Sequence, residues 1–207
     1  MGMTEKQGGS DVRANTTRAE PEEVDAWGPR YRVTGHKWFF SAPMCDAFLV
    51  LAQTPGGLSC LFLPRVLPDG TRNAVHVQRL KDKLGNQANA SSEVEFLDAK
   101  AWLVGELGRG FAQMADMVNS SRLSNGMRSA GMMWRAIAEA LYFSRRREAF
   151  GRHLVDMPLM QRQLAKIMLP AEQARTMMFQ TAEALRRSDA GEEGMYALTR
   201  LLTPLIK

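Results

Sequence analysis

Polar and apolar positions alternate through the first hundred residues. Runs of β-branched, aromatic and aliphatic side chains, YRVTGHKWFF, AFLVLAQT, LSCLFLP, AVHVQRL and SSEVEFLD, are separated by breaks such as Asp-Ala-Trp-Gly-Pro, Pro-Gly-Gly and Pro-Asp-Gly. Short runs at this spacing, bounded by turn residues, predict a β-sandwich or small barrel. In Thr54-Pro55-Gly56-Gly57 and Pro68-Asp69-Gly70-Thr71 proline presets φ and glycine accepts positive φ, so both are predicted to close hairpins.

Beyond Gly105 the period changes to three and four. Phe111, Met114 and Val118, then Met133, Ile137 and Leu141, recur at helical spacing, with no proline before Pro158. A second helical run after Pro158 carries Leu164, Met168 and Met178, with a kink expected at Pro170, and a third begins near Glu192 after Ser188-Asp189-Ala190-Gly191. The pattern predicts an α+β chain with a β-domain over 1–103 and three helices over 104–207, the first of them long. Gly105, Gly108 and Gly110 mark the connection. The chain opens on a glycine-rich motif with no strand ahead of it and closes on the apolar run LTRLLTPLIK, so both ends read as cut.

At 207 residues, 45% hydrophobic and 24% charged, the chain can bury a core without disulfides or structural metal. Cys45 and Cys60 sit in apolar runs and are expected as reduced, buried thiols. No signal-like apolar segment and no membrane-length apolar run occur, which predicts a cytoplasmic protein without a membrane partner. Residues 1–103 hold 12 basic and 12 acidic side chains, whereas 104–207 hold 15 and 10, so the net charge of +5 belongs to the helical half. Nearly all of its bases are arginine, which suits bidentate contact with phosphate or carboxylate.

No HExxH, paired CxxC, P-loop or GxSxG motif is present, and His36, His76 and His153 are scattered. Zinc and triad chemistry are therefore not expected. The candidate chemistry begins in MGMTEKQGGSD, where Gly8 and Gly9 let backbone N–H groups approach an anion and Thr4 and Ser10 add hydroxyl donors. GHKWFFSAP ends a strand in aromatics followed by Ser41, a combination suited to stacking on a flat heterocycle and donating one hydrogen bond to its edge. Arg145-Arg146-Arg147-Glu148-Ala149-Phe150-Gly151 then places a cationic cluster beside an aromatic and a glycine.

MTExxxGSD, GxKWFFS and REAFG, in this order, resemble the acyl-CoA dehydrogenase family, flavoproteins that oxidise acyl-CoA thioesters. MTEKQGGSDV, GHKWFFS, LSCLFLPRVLPDG and RLKDKLGNQANASSEVEF resemble its AidB-like branch, adaptive-response proteins that bind flavin and DNA. The likeness covers essentially the whole chain and implies a flavin-binding middle β-domain followed by part of a C-terminal helical bundle. It implies FAD as cofactor, with Met3, Thr4, Gly9 and Ser10 lining it, Thr4 at the pyrimidine end and Ser10 near the phosphates. Phe39-Phe40-Ser41 matches the aromatic-x-hydroxyl triplet whose hydroxyl faces flavin N5. The family usually has Trp first in the triplet; here Trp38 lies one step earlier, expected on the opposite strand face. Arg147 and Phe150 match positions that reach FAD across a subunit interface, implying a homo-oligomer, dimer or tetramer. The aromatic-Gln pair usual at the adenine is replaced by Met157-Pro158.

The family reaction takes the α-proton of an acyl thioester with a carboxylate and passes the β-hydrogen as hydride to flavin. In a minority of members the base precedes the helical Arg that matches Arg122, and this chain has Ser121 there. No catalytic residue is thus assigned in this chain. Three functions remain in view: an acyl-CoA dehydrogenase homologue lacking its base, an AidB-type flavoprotein that binds DNA through its arginine-rich helices, and a non-functional truncated remnant.

Overall fold

The computed structural model describes residues 1–205; Ile206 and Lys207, the last two residues of the LTRLLTPLIK run, lie outside the described residues. It forms two compact units, Met1–Ala115 and a second from Asp116 onward. In the first, β1 (Arg18–Asp25), β2 (Gly28–Ser41), β3 (Ala47–Thr54), β4 (Gly57–Pro64) and β6 (Ser91–Val104) follow the sheet order β2-β1-β3-β4-β6, and β6 pairs back onto β2. That pairing joins the two ends of the sheet, although β1 meets β3 only at Arg18↔Gln53. The sixth strand, β5 (Val75–Leu80), hangs on β6 and is mostly exposed. Inside lie Val33, Phe40, Phe48, Val50, Leu61, Leu63, Val94 and Phe96, all from the inward positions of alternating strands.

β1 has no counterpart among the five apolar runs. Its sequence, RAEPEEVD, buries only Ala19, because its outward side chains all face water while its backbone pairs with β2 from Arg18↔Thr34 to Asp25↔Gly28. A strand whose inward face is this short carries almost no hydrophobic alternation. Of the two turn motifs, Pro55-Gly56 does link β3 to β4, with Thr54 opposite Gly57. Pro68-Asp69-Gly70-Thr71 instead closes a local bridge between Val66 and Arg72 inside the β4–β5 connection, because β5 pairs with β6 and not with β4. Cys60 is buried as expected, but Cys45 is exposed: it follows β2 in a turn closed by its own N–H on the Ala42 carbonyl.

The second unit holds the rest of α1 (Gly110–Arg146), then α2 (Pro158–Asp189) and α3 (Met195–Leu205). Pro170 is accommodated inside α2. Leu164, Ala171, Met178, Thr181 and Ala184 of α2 are buried, as are Thr199 and Thr203 of α3. No helix among the described residues is long and apolar enough to cross a membrane.

Candidate functional site

The glycine-rich opening is supported by strands from later in the chain. Gly2 donates to the Leu49 carbonyl at 2.8 Å and accepts from the Leu51 N–H at 3.0 Å, and the Trp38 N–H donates to the Thr4 carbonyl at 2.8 Å. The segment therefore runs between β3 and the end of β2, where Gly2 also bridges Phe40. Only glycine fits at position 2, since a Cβ there would lie 2.8 Å from the Phe40 ring. The backbone then reverses through a tight turn in which Gly8, at φ +122°, donates to the Glu5 carbonyl at 3.0 Å.

What holds these two motifs together is a buried ion pair. The Lys37 Nζ lies 2.7 Å from Glu5 Oε1, with both side chains fully buried, and it also donates to the Leu51 carbonyl at 2.8 Å. The Glu5 carboxylate further accepts from the Thr16 N–H at 2.6 Å, the Thr16 hydroxyl at 2.9 Å and the Thr17 N–H at 3.1 Å. Burial alone would raise the Glu5 pKa, but these donors outweigh it and hold the carboxyl at about 2. Burial pushes the Lys37 ammonium below its usual range, with Glu5 opposing. Neither residue has a role assigned from the sequence; the one signal is Lys37, the single formal charge in the otherwise apolar and aromatic end of β2.

A carboxyl held below its unfolded value contributes stability above that value and loses it as pH falls toward 2, because the unfolded chain then binds the extra proton. Acid unfolding followed by circular dichroism should therefore be shallower for Glu5→Gln between about pH 4.3, the ordinary glutamate value, and pH 2. An identical acid slope in the two proteins would remove Glu5 from this role.

The pairing register sets the aromatic end of β2. Lys37 opposes Val94 and Phe40 opposes Ser92, so Trp38 and Phe39 together face the single residue Glu93 across a β-bulge. The expectation that Trp38 and Phe39 point to opposite faces is thus overturned: an extra residue suspends the alternation, and one ammonium, Lys81 Nζ, lies 3.3 Å from the Trp38 ring centroid and 4.7 Å from that of Phe39. Phe39 remains 44% exposed.

Phe40, grouped with the flavin residues by sequence, is instead a core residue. It is fully buried, with ring centroids 4.6 Å from Phe48 and 5.9 Å from Phe96. Ser41 follows at the exposed end of β2. Met3 and Thr4 are half-buried beside it in the chain path, and Ser10 is exposed past the turn. Met3 is fixed through its carbonyl, which accepts from the Asn15 amide at 2.9 Å. A Cβ on Gly9 would lie 2.5 Å from the Thr4 hydroxyl, so glycine at 9 leaves the room that this hydroxyl occupies. Thr4 thus lies beside the glycine-relieved turn and against the start of the aromatic bulge, in the same unit as the exposed Ser10 and Ser41, and these are residue types that fit a flat polar heterocycle with an anionic tail.

Arg147 and Phe150 belong to the second unit. After α1 ends, β7 (Glu148–Ala149) and β8 (Arg152–His153) form a hairpin whose two-residue tip is Phe150-Gly151, at φ +53° and +71°. Both tip residues having positive φ matches the twist of a tight hairpin. Phe150 is 97% exposed despite its ring and its strained backbone. Arg147 is fixed by its N–H on the Phe143 carbonyl at 2.8 Å and by its carbonyl, which accepts from Leu154 at 3.0 Å.

Residues 1–99 match the acyl-CoA dehydrogenase middle domain and residues 108–203 match the acyl-CoA dehydrogenase C-terminal domain. The chain is 50% identical to the putative acyl-CoA dehydrogenase AidB of Escherichia coli (strain K12), over 100% of this chain and 37% of that protein. It is similar to the structure of Caenorhabditis elegans ACDH-11 in complex with C11-CoA, at TM-score 0.86 and 34% identity over 99% of this chain and 36% of that one. It shares its fold with an acyl-CoA dehydrogenase complexed with FAD from Bacillus anthracis, at TM-score 0.74 and 20% identity over 99% of this chain and 35% of that one. The chain spans about a third of the length of the curated relatives it matches, 37% and 35% of the first two.

Proposed function

The chain belongs to the acyl-CoA dehydrogenase family, whose members are FAD-binding oxidoreductases, and from that premise we propose that it holds FAD and serves an AidB-type acyl-CoA dehydrogenase. The observation that carries this reading is the junction of the opening segment with β2, where the Thr4 carbonyl accepts from Trp38 and Gly2 bridges Phe40. It brings the hydroxyl-bearing turn and the aromatic bulge, distant in sequence, to one rim of the β-unit. Phe39 would cover the isoalloxazine, the Thr4 and Ser41 hydroxyls would donate to its edge, and the turn at Gly9 and Ser10 would receive the phosphates. Bound there, FAD supplies the hydride acceptor for an acyl thioester. The substrate class is proposed from the ACDH-11 complex with C11-CoA.

The α-proton needs a separate base. Ser121, at the α1 position where a carboxylate would serve, donates its hydroxyl to the Met117 sulfur at 3.4 Å, and a hydroxyl is not a base near neutral pH. No residue of this chain is assigned that role. On the second unit, an exposed Phe150 at a strained tip beside Arg147 is the arrangement expected of residues that meet another molecule, here the FAD of a second copy.

Visible absorbance and fluorescence of the purified protein titrated with FAD test this. Arg147→Ala removes a charged hydrogen bond of about 1.5–3 kcal/mol, so FAD affinity should fall roughly 10- to 100-fold. Gly9→Ala should weaken FAD in the same direction by pushing the Thr4 hydroxyl aside. Wild-type protein that stays colourless with micromolar FAD sinks the reading.

A DNA-binding role has one supporting observation. Arg135, Arg175, Arg186 and Arg187 pair with neighbouring carboxylates, while Arg145, Arg146, Arg147 and Arg152 surround the hairpin with no carboxylate partner among the described residues. DNA retention that falls steeply with salt and survives Arg147→Ala would support a basic face separate from the cofactor contact, while FAD loss on the same substitution would support the cofactor role of Arg147.

A further inference from the structure

Lys81 is unusual for a lysine on a β-domain surface. Its side chain is only 9% exposed, its Nζ is 2.6 Å from the Glu93 carboxylate, and it caps two aromatic rings at once. Arg79 reaches the same carboxylate at 2.7 Å and lies 5.9 Å from the Trp38 ring. Two cations thus share one anion, and the cluster keeps a net positive charge against the bulge. The 3.3 Å ammonium covers one face of Trp38, whereas Phe39 stays accessible.

Resting on the flavin reading above, we propose that Lys81 is a positioning and charge-setting residue of the flavin site: it pins the Trp38–Phe39 bulge so that Phe39 alone is offered to the ring, and it places a positive charge beside it. Pinning comes from the cation–π contacts, whose strength grows as the ammonium is withdrawn from water. The charge acts because a flavin that has taken up two electrons and one proton bears a negative charge, and a partly desolvated ammonium nearby is weakly screened. Lys81 therefore favours reduced over oxidised flavin. Glu93 opposes it, and its carboxylate is itself held below the usual range by Arg79 and Lys81.

The test is the reduction potential of FAD bound to the full chain, read by equilibration with a dye of known potential, for wild type, Lys81→Met, Lys81→Arg and Glu93→Gln. Lys81→Met keeps the aliphatic stem over the rings and removes the charge. The reduced-to-oxidised equilibrium should fall about tenfold, which is about 30 mV for a two-electron couple. Lys81→Arg should restore it, and Glu93→Gln should move it the other way. Opposite signs from two neighbouring substitutions are not produced by loosened packing. In flavin-free protein, Lys81→Met should also shift Trp38 emission.

Bound FAD with an unchanged potential in both Lys81→Met and Glu93→Gln overturns this proposal while leaving the flavin reading intact. Wild-type protein that takes up no FAD overturns both. Loss of FAD from Lys81→Met with retained folding and unchanged potential in Glu93→Gln would leave pinning without charge-setting, and so overturns the proposal as stated.

Discussion

Lys37→Met is expected to cost the β-unit about 3–5 kcal/mol, the range for breaking a buried pair by removing one partner. The carboxylate of Glu5 would be left fully buried with its three backbone and hydroxyl donors but no counter-charge, and the Leu51 carbonyl would lose its donor. Urea unfolding followed by tryptophan fluorescence measures this directly. Glu5→Gln should be milder than Lys37→Met, because the amide oxygen can keep part of the donor set. The double variant, with both charges removed, should be more stable than the sum of the single losses implies, giving a coupling of at least about 1 kcal/mol. Additive losses would mean that the two groups do not act as a pair. Because Glu5 lies between Thr4 and the tight turn, while Lys37 precedes the aromatic bulge, FAD affinity should decline along with stability in the single variants.

The second large effect separates adjacent phenylalanines. Phe40→Ala should destabilise the β-unit by about 3–5 kcal/mol, as truncation of a fully buried ring leaves a cavity among Phe48, Phe96 and the Gly2 backbone. Any protein that still folds should bind FAD. Phe39→Ala should do the reverse: stability changes little, since the ring is 44% exposed, while FAD affinity falls roughly tenfold for a lost aromatic contact of about 1.5 kcal/mol. Equal effects of the two substitutions on either readout would contradict the bulge geometry.

These contrasts show which part of the molecule is legible in one dimension. Strands β2, β3, β4 and β6 and all three helices follow from periodicity, because each buries one face and a buried face repeats every two or 3.6 residues, whereas β5 alternates in sequence yet is held by its pairing with β6 and stays mostly exposed. β1 escapes that rule, being held by backbone pairing with β2 and by Ala19 alone. Cys45 looked buried because its neighbours are apolar, yet a turn needs no core, and it is exposed. The glycine motif was readable as an anion cradle, whereas the strands that flank it come from residues 38–40 and 49–51.

The sequence by itself determined the run of strands from β2 onward and the helices after them, the three motifs and the family they resemble, since propensity, turn chemistry and hydrophobic period are local properties. Tertiary structure alone decided that Glu5 and Lys37 meet, that Trp38 and Phe39 share a face, that Phe40 is core, and that Lys81 sits over the rings. Each depends on register between distant strands. A shift of one residue moves a side chain from core to solvent, and only the paired partner fixes that register.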